Sequence, residues 1–320
     1  MSHTVAKFFF CLAVLVLCGN AGAQDYPTRP VRLVVGFGAG GPTDLPARFI
    51  ADKLGSLLGQ RVFVENKPGA AGMIATRDVL AQPRDGYNLL LCTHFDSINT
   101  ALYRSAQFKL SDLAPISLVS KYYYGLALAN SIPAETLEQF LQFAKAHPGE
   151  VSYATIGAGS AQEMIARQLE KIARIEMNRI PFKSGSDVLP QVLAGRVHFY
   201  VAPTLSVLPQ YRAKELKILA VTSPERLKTA PELPTTTERG IPVVAFGWLG
   251  ICAASGTPPR VLDLLNRHVV SIVRSAEYRA MIENAGSIAA ASTPGELAQV
   301  MTNTFNEAAT AAREFGMQID

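Results

Sequence analysis

Two glycine-rich runs carry the strongest chemical signal in this 320-residue sequence. The first is Gly36-Phe37-Gly38-Ala39-Gly40-Gly41, followed by Pro42-Thr43-Asp44; the second is Gly157-Ala158-Gly159-Ser160, followed by Ala161. Each comes after an apolar run and before a helical stripe. Backbone N–H groups at such a turn have no intrahelical partner, and the helix dipole favours negative charge there. The chemistry is anion binding, which serves a carboxylate as well as a phosphate. The first run also satisfies the G-x-G-x-x-G dinucleotide fingerprint, and Glu65 ends the next strand where a ribose-binding acid belongs. Three features oppose a nicotinamide cofactor: an export signal upstream, Asp44 placed to repel a pyrophosphate, and Pro42 and Pro46 in the first turn.

Catalytic constellations are missing. The second run lacks the G-x-S-x-G spacing of a nucleophile elbow, and no H-E-x-x-H, C-x-x-C or G-K-[ST] occurs. His94, His147, His198 and His268 are scattered without acid or thiol partners at motif spacing, so structural roles are expected. Tyr122-Tyr123-Tyr124 has two readings, the border of a ligand cleft and half-buried strand packing near a domain crossing, and the packing reading is favoured. No catalytic residue, metal or cofactor is expected. Composition agrees: 48% hydrophobic and 18% charged excludes a disordered chain, and Lys+Arg 30 against Asp+Glu 26 is too mild for nucleic-acid binding.

The amino terminus is an address. Lys7 precedes the apolar run Phe8 to Cys18, and Ala21-Gly22-Ala23 ends it. This is the secretory signal pattern, with an apolar run too short to span a bilayer. Cleavage after Ala23 leaves a chain that starts at Gln24 with net charge +3, since Lys7 is lost. Cys92 and Cys252 remain after export. They are expected to lie close together but unpaired, because a disulfide needs Cα atoms within about 7 Å and converging Cβ vectors.

The elements that position the glycine runs alternate in type. Strands are expected at 31–35, 61–65 and 87–92, with helices at 43–58 and 73–81 between them. A second block offers strands at 123–129, 151–156, 177–182, 197–202 and 216–221, with helices such as 135–147 between. Residues 243–253 form a long apolar strand. Thr257-Pro258 opens a helix as cap and first residue, and Thr293-Pro294-Gly295-Glu296 is a capping box. Ser160-Ala161-Gln162-Glu163 also fits the capping-box pattern. Such alternation implies an α/β protein with mostly parallel sheets covered on both faces, and ligands bind beyond the carboxyl ends of the strands.

Several stretches together resemble the Bug family, the extracytoplasmic solute-binding proteins of tripartite tricarboxylate transporters. They are Tyr26-Pro27-Thr28-Arg29-Pro30-Val31, Val35 to Asp44, Val64-Glu65-Asn66-Lys67-Pro68-Gly69-Ala70-Ala71-Gly72 and Pro83-Arg84-Asp85-Gly86-Tyr87. Further along they include Ala144 to Gly149, Gly157 to Ser160, Pro181-Phe182-Lys183, Leu219 to Ser223, Pro231 to Thr235, Glu238-Arg239-Gly240 and Gly256-Thr257-Pro258. The resemblance implies a type II-like, two-lobed periplasmic-binding-protein fold, with two parallel or mixed sheets flanked by helices around a central cleft. Lobe 1 would take residues 24–123 and 247–320, and lobe 2 residues 124–246. It implies a monomeric periplasmic receptor that closes on a small organic acid and delivers it to membrane permease subunits. A sensor kinase is an alternative partner, and a secreted NAD(P)-dependent oxidoreductase the alternative function.

The ligand-binding residues implied are Phe37, Gly38, Ala39, Gly40, Gly41, Thr43 and Asp44 from the first loop, and Gly159, Ser160 and Ala161 from the second. Lys183, Ser184, Gly185 and Ser186 follow a strand of the second lobe, and Ala202, Pro203 and Thr204 end another. Asp44 either stabilises its helix or meets a ligand ammonium; the helix role is favoured. The sequence departs from the family pattern at three points. Gly36 replaces a Pro and gives the loop more backbone freedom. Glu163 replaces a His, as a helix cap or as a charge beside the ligand. Ser184 replaces a Gly. Dicarboxylates, tricarboxylates, aromatic acids and amino or neutral compounds all stay open as ligands.

Overall fold

The computed structural model describes residues 26–156, 159–182 and 185–316. The export signal with its Ala23–Gln24 junction, and Gly157, Ala158, Lys183 and Ser184, lie outside the described residues.

The first block is β1 (Val31–Val35), α1 (Asp44–Leu58), β2 (Val62–Asn66), α2 (Met73–Leu80), β3 (Asn88–Thr93) and α3 (His94–Leu102). Then come β4 (Leu113–Ala129), α4 (Leu137–Ala146), β5 (Ser152–Thr155), α5 (Ala161–Ala173), β6 (Asn178–Pro181), α6 (Gly185–Leu193), β7 (Phe199–Pro203), α7 (Thr204–Arg212) and β8 (Leu216–Val221). The chain ends with β9 (Phe246–Ala254), α8 (Pro259–Arg274), α9 (Ala276–Asn284), β10 (Ile288–Ala289) and α10 (Pro294–Phe315). The strands run β2-β1-β3-β9-β4-β7-β5-β6, with β8 and β10 also on β4. β1 is parallel to β2 and β3, and β5 is parallel to β6 and β7. β9 and β4 run antiparallel to their neighbours, so the sheet is mixed.

β4 explains the two-lobed shape. Its first part, Leu113 to Tyr123, pairs with β9; from Tyr124 to Ala129 it pairs with β7 and β8. The strand therefore starts ten residues before the point its apolar alternation indicates. Register shifts between Pro115 and Ser117 and between Leu118 and Ser120 break the period-2 pattern that would reveal it. Both faces are covered. Leu33, Ile50, Leu89, Val119, Phe140 and Phe199 are among the fully buried side chains of the main core, which suits sheets flanked by helices on each side.

Two local expectations need correction. α8 begins at Pro259, with Pro258 as the preceding residue; the Thr257 hydroxyl donates to the Ala254 carbonyl and caps nothing. Cys92 and Cys252 are joined by a disulfide rather than standing as separate thiols. The antiparallel register sets Cys92 opposite Gly250 and Cys252 opposite Leu90, so both side chains lie on one face as diagonal neighbours. Their Cα atoms are 5.8 Å apart, inside the bridging range. The Thr293 capping box stands as expected, with Thr293 and Glu296 exchanging hydrogen bonds.

Candidate functional site

The first loop is held from behind. Asn66, at the end of β2, donates its amide to the Phe37 carbonyl at 3.0 Å and to Asp44 Oδ1 at 2.9 Å. Gly36 is buried against Gly72: a Cβ there would come within 2.8 Å of the Gly72 Cα. Extra backbone freedom at Gly36 is thus removed by packing. Gly69 and Gly72 have φ of +133° and +92°, a conformation L side chains rarely adopt, and Ala70 and Ala71 also have positive φ. The Asn66 to Gly72 stretch is therefore a buttress for the loop.

Asp44 is 3% exposed. Its carboxylate accepts from the Gly40 N–H at 2.9 Å, from Arg48 Nε at 2.7 Å and from Asn66. Burial alone would raise its pKa, but Arg48, the Gly40 N–H and Asn66 outweigh burial and hold it below the usual carboxylate range. The second loop repeats the device. Glu163 is 1% exposed, and its carboxylate accepts from the Gly159 N–H at 2.9 Å, from Arg167 at 3.1 Å and from Arg179 at 2.8 Å. Ser160 Oγ accepts from the Glu163 N–H, the expected half of the capping box. The carboxylate returns one residue further upstream than that motif prescribes.

A cavity of about 550 Å³ lies at the carboxyl ends of the parallel strands. Five strand-to-helix junctions reach it: β1–α1 with Phe37 to Thr43, β3–α3 with Thr93 to Phe95, β5–α5 with Ile156 and Gln162, β6–α6 with Gly185, Leu189, Pro190 and Leu193, and β7–α7 with Pro203 and Ser206. Tyr122, Tyr200 and Leu249 complete the wall. The volume is that of a small-molecule site. Converging helix N-termini give it an anion-attracting field.

Of the residues expected from the sequence, Phe37, Gly38, Ala39, Gly40, Gly41, Thr43, Gly185 and Pro203 line this cavity. Asp44 sits behind the loop on Arg48 and Asn66. Ser160 caps α5, and Ala161, like Met164, packs against the cluster of Ile98, Leu102, Ala308 and Ala312. Gly159 lends its N–H to Glu163. Ser186 belongs to the first turn of α6. Ala202 is buried in the core, and the Thr204 hydroxyl donates to the Tyr123 and Gly286 carbonyls. His94, Phe95, Tyr122, Gln162 and Tyr200 were not legible as wall residues; only the Tyr122-Tyr123-Tyr124 run hinted at one of them.

A buried polar group lies in and behind the Thr93 to Phe95 part of the wall. His94 is buried between the Tyr122 and Tyr124 hydroxyls, each 3.4 Å from a ring nitrogen. Burial pushes its pKa down to about 4, against a smaller contribution from the Trp248 backbone, so the ring is neutral at neutral pH. Asp96, in the first turn of α3, takes hydrogen bonds from the Thr93 N–H and the Thr76 hydroxyl, yet burial pushes its pKa up to about 6. Among the described residues no cluster of His, Cys, Asp and Glu could hold a metal ion, and no helix is long and apolar enough to cross a membrane.

A two-lobed α/β architecture with a cavity ringed by helix N-termini defines the class of solute-binding receptors. Within that class, the chain belongs to the tripartite tricarboxylate transporter family receptors, whose model matches residues 46–317. BugT of Bordetella pertussis is 30% identical over 323 residues, covering 100% of this chain and 99% of its own. Among solved structures, an R. palustris protein with adipate superposes with a TM-score of 0.86 at 27% identity, covering 91% of this chain and 98% of that one. The periplasmic binding protein BugD superposes with a TM-score of 0.84 at 28% identity, covering 92% and 99% respectively.

Proposed function

We propose that this protein captures a small organic acid in the cavity between its lobes and delivers it to the permease subunits of a tripartite tricarboxylate transporter. The observation that carries the reading is the first loop. Gly38 to Thr43 line the cavity ahead of the α1 N-terminus, where the backbone N–H groups of Gly38, Ala39 and Thr43 have no partner among the described residues. A ligand carboxylate supplies the missing acceptor. The R. palustris neighbour holds a carboxylate compound, adipate, which supports the same class here. Lobe 1 is read as residues 24–123 with 247–320 and lobe 2 as 124–246; the change of β4 partners between Tyr123 and Tyr124 supports that boundary. Closure of the lobes follows when the ligand binds the closed state better than the open one.

A dinucleotide reading of the same loop is disfavoured by Asp44. Its carboxylate already takes the Gly40 N–H, a backbone donor that a pyrophosphate at the helix start would need. Export to the periplasm with cleavage after Ala23 completes the proposal. One measurement tests it: mass spectrometry of protein purified gently from its native compartment. A chain starting at Gln24 and carrying a releasable carboxylic acid is expected. A released nicotinamide dinucleotide would refute the receptor reading, and retention of residues 1–23 would refute the export reading.

A further inference from the structure

Two helices that reach the cavity with their first turns also meet each other beside it. α3 brings His94 and Phe95 to the wall; one and two turns further on, its Ile98 and Leu102 form a buried apolar cluster with Ala308 and Ala312 of α10. α5 brings Gln162 to the wall, while Ala161 and Met164 pack against that same cluster. Further along α5, Lys171 forms an ion pair with Glu314 of α10, and past its end Ile175 lines a crevice with Phe315. α5 belongs to lobe 2, and α3 and α10 to lobe 1. The contact is a seam between the lobes.

The chain itself crosses between the lobes elsewhere, and both crossings are stitched together at Thr222. Its Oγ1 accepts from the Tyr124 N–H at 3.0 Å and donates to the Ala245 carbonyl at 2.6 Å, and its own N–H donates to the Tyr124 carbonyl at 2.9 Å. Thr204 adds a hydroxyl bond to the Tyr123 and Gly286 carbonyls. Chain continuity and main-chain hydrogen bonds hold this region together, which suits a pivot. The seam has neither: among the described residues no backbone hydrogen bond joins α5 to α3 or α10. It consists of side chains, with Met164 half-buried and the Lys171 and Glu314 side chains 61% and 41% exposed. Such a contact parts and re-forms without breaking any element. Since α3 and α5 both aim their N-termini at the ligand, a ligand that draws them together also closes the seam, and a closed seam holds them at the ligand's spacing.

We infer that the lobes part and close at this seam, and that Met164 is a positioning residue that sets the closed fraction of the receptor, and thereby its affinity, without touching the ligand. Met164 is not among the residues that line the cavity. A lower closed fraction weakens every ligand by one common factor. The inference rests on the lobe boundary and the carboxylate reading proposed above.

The test is calorimetry with small-angle scattering on the mature protein, using adipate, malate and benzoate. The radius of gyration of the parent should fall when an acid that binds is added. Met164→Ala should weaken every acid that binds by a common factor of about five, the worth of a half-buried side chain acting through the closed fraction. Met164→Leu keeps the volume and should keep the affinity. Lys171→Glu places like charges across the seam on exposed residues, and it decides the matter if the alanine variant does not fold. It should weaken binding about twofold at low salt, less at high salt, and Glu314→Lys added to it should restore the parent affinity. Lowered stability with unchanged affinity in Met164→Ala makes the seam a fixed joint and overturns the inference. So does a parent that does not compact on binding, or a loss confined to one acid, which makes Met164 a ligand contact. In these cases the carboxylate site stands. Binding of none of the three acids by the parent overturns the carboxylate reading as well.

Discussion

Asp44 and Glu163 occupy corresponding positions in the two lobes. Each is a buried carboxylate that accepts the N–H of the glycine four residues before it, Gly40 or Gly159, and pairs with the arginine four residues after it, Arg48 or Arg167. Each also takes a side chain from the strand that follows, Asn66 from β2 or Arg179 from β6. The carboxylate ties the glycine turn to its helix and turns its own charge away from the cavity. An acid at the mouth of an anion site is tolerable because it is spent on the scaffold.

Glu163→Ala should therefore act on stability. It removes the acceptor for Gly159 and leaves Arg167 and Arg179 without their buried partner. Both arginines are partly exposed and can return to water, so the loss should be about 1–3 kcal/mol, below the cost of stranding a fully buried charge. Urea unfolding measures it, and affinity for the acid ligand should hold or improve. A collapse of affinity with unchanged stability would make Glu163 a ligand contact.

In the first loop, backbone geometry should matter more than any one side chain. Gly40 has φ of +75°, where a β-branched residue is strained. Gly40→Val should lower acid affinity well over tenfold. Thr43→Ala removes one unpartnered hydroxyl, worth about 0.5–1.5 kcal/mol or some 2- to 13-fold. Titration calorimetry compares them; equal losses would point to a side-chain clamp.

His94 and Asp96 set opposing pH dependences. His94 has a pKa of about 4 in the folded protein against an ordinary 6.5, so the native state binds fewer protons in that window. Its contribution to stability is present above pH 6.5 and is lost as pH falls toward 4. Asp96 has a folded pKa of about 6 against 3.8, so its contribution is full below pH 3.8 and is lost as pH rises through 6. The two nearly cancel between pH 4 and 6. Asp96→Asn should leave a stability that rises with pH across this window by roughly 2–3 kcal/mol, and His94→Gln one that falls by a similar amount. Denaturant midpoints at half-unit pH intervals decide it; parallel curves for both variants and the parent would reject the assignment.

The Cys92–Cys252 bond spans 160 residues and ties β3 to β9 beside the Thr93–His94 turn. Mature protein should show no free thiol under denaturing, non-reducing conditions. Replacing both cysteines by Ala should cost about 2–5 kcal/mol, the usual range for a native disulfide. One or more free thiols per chain before reduction would contradict the bond.

The local devices were legible in the sequence because each is encoded within a few neighbouring residues. The strand-glycine-helix turn at Val35 to Asp44, the Thr293 capping box and the alternation of elements all follow from propensity and spacing. The Asn66 to Gly72 stretch was recognisable as a motif, but its work behind the first loop was not. What the tertiary structure alone decided involves partners far apart in the chain. The register of β3 on β9 turned two isolated cysteines into a bridge, and register is set by sheet packing. The bulges of β4 hid its first half from any periodicity. Gln162 reads as an ordinary first-turn residue until the folded chain places it in the cavity wall. His94 is neutral because residues from other strands bury it, and burial is a property of the packed chain that no local spacing encodes.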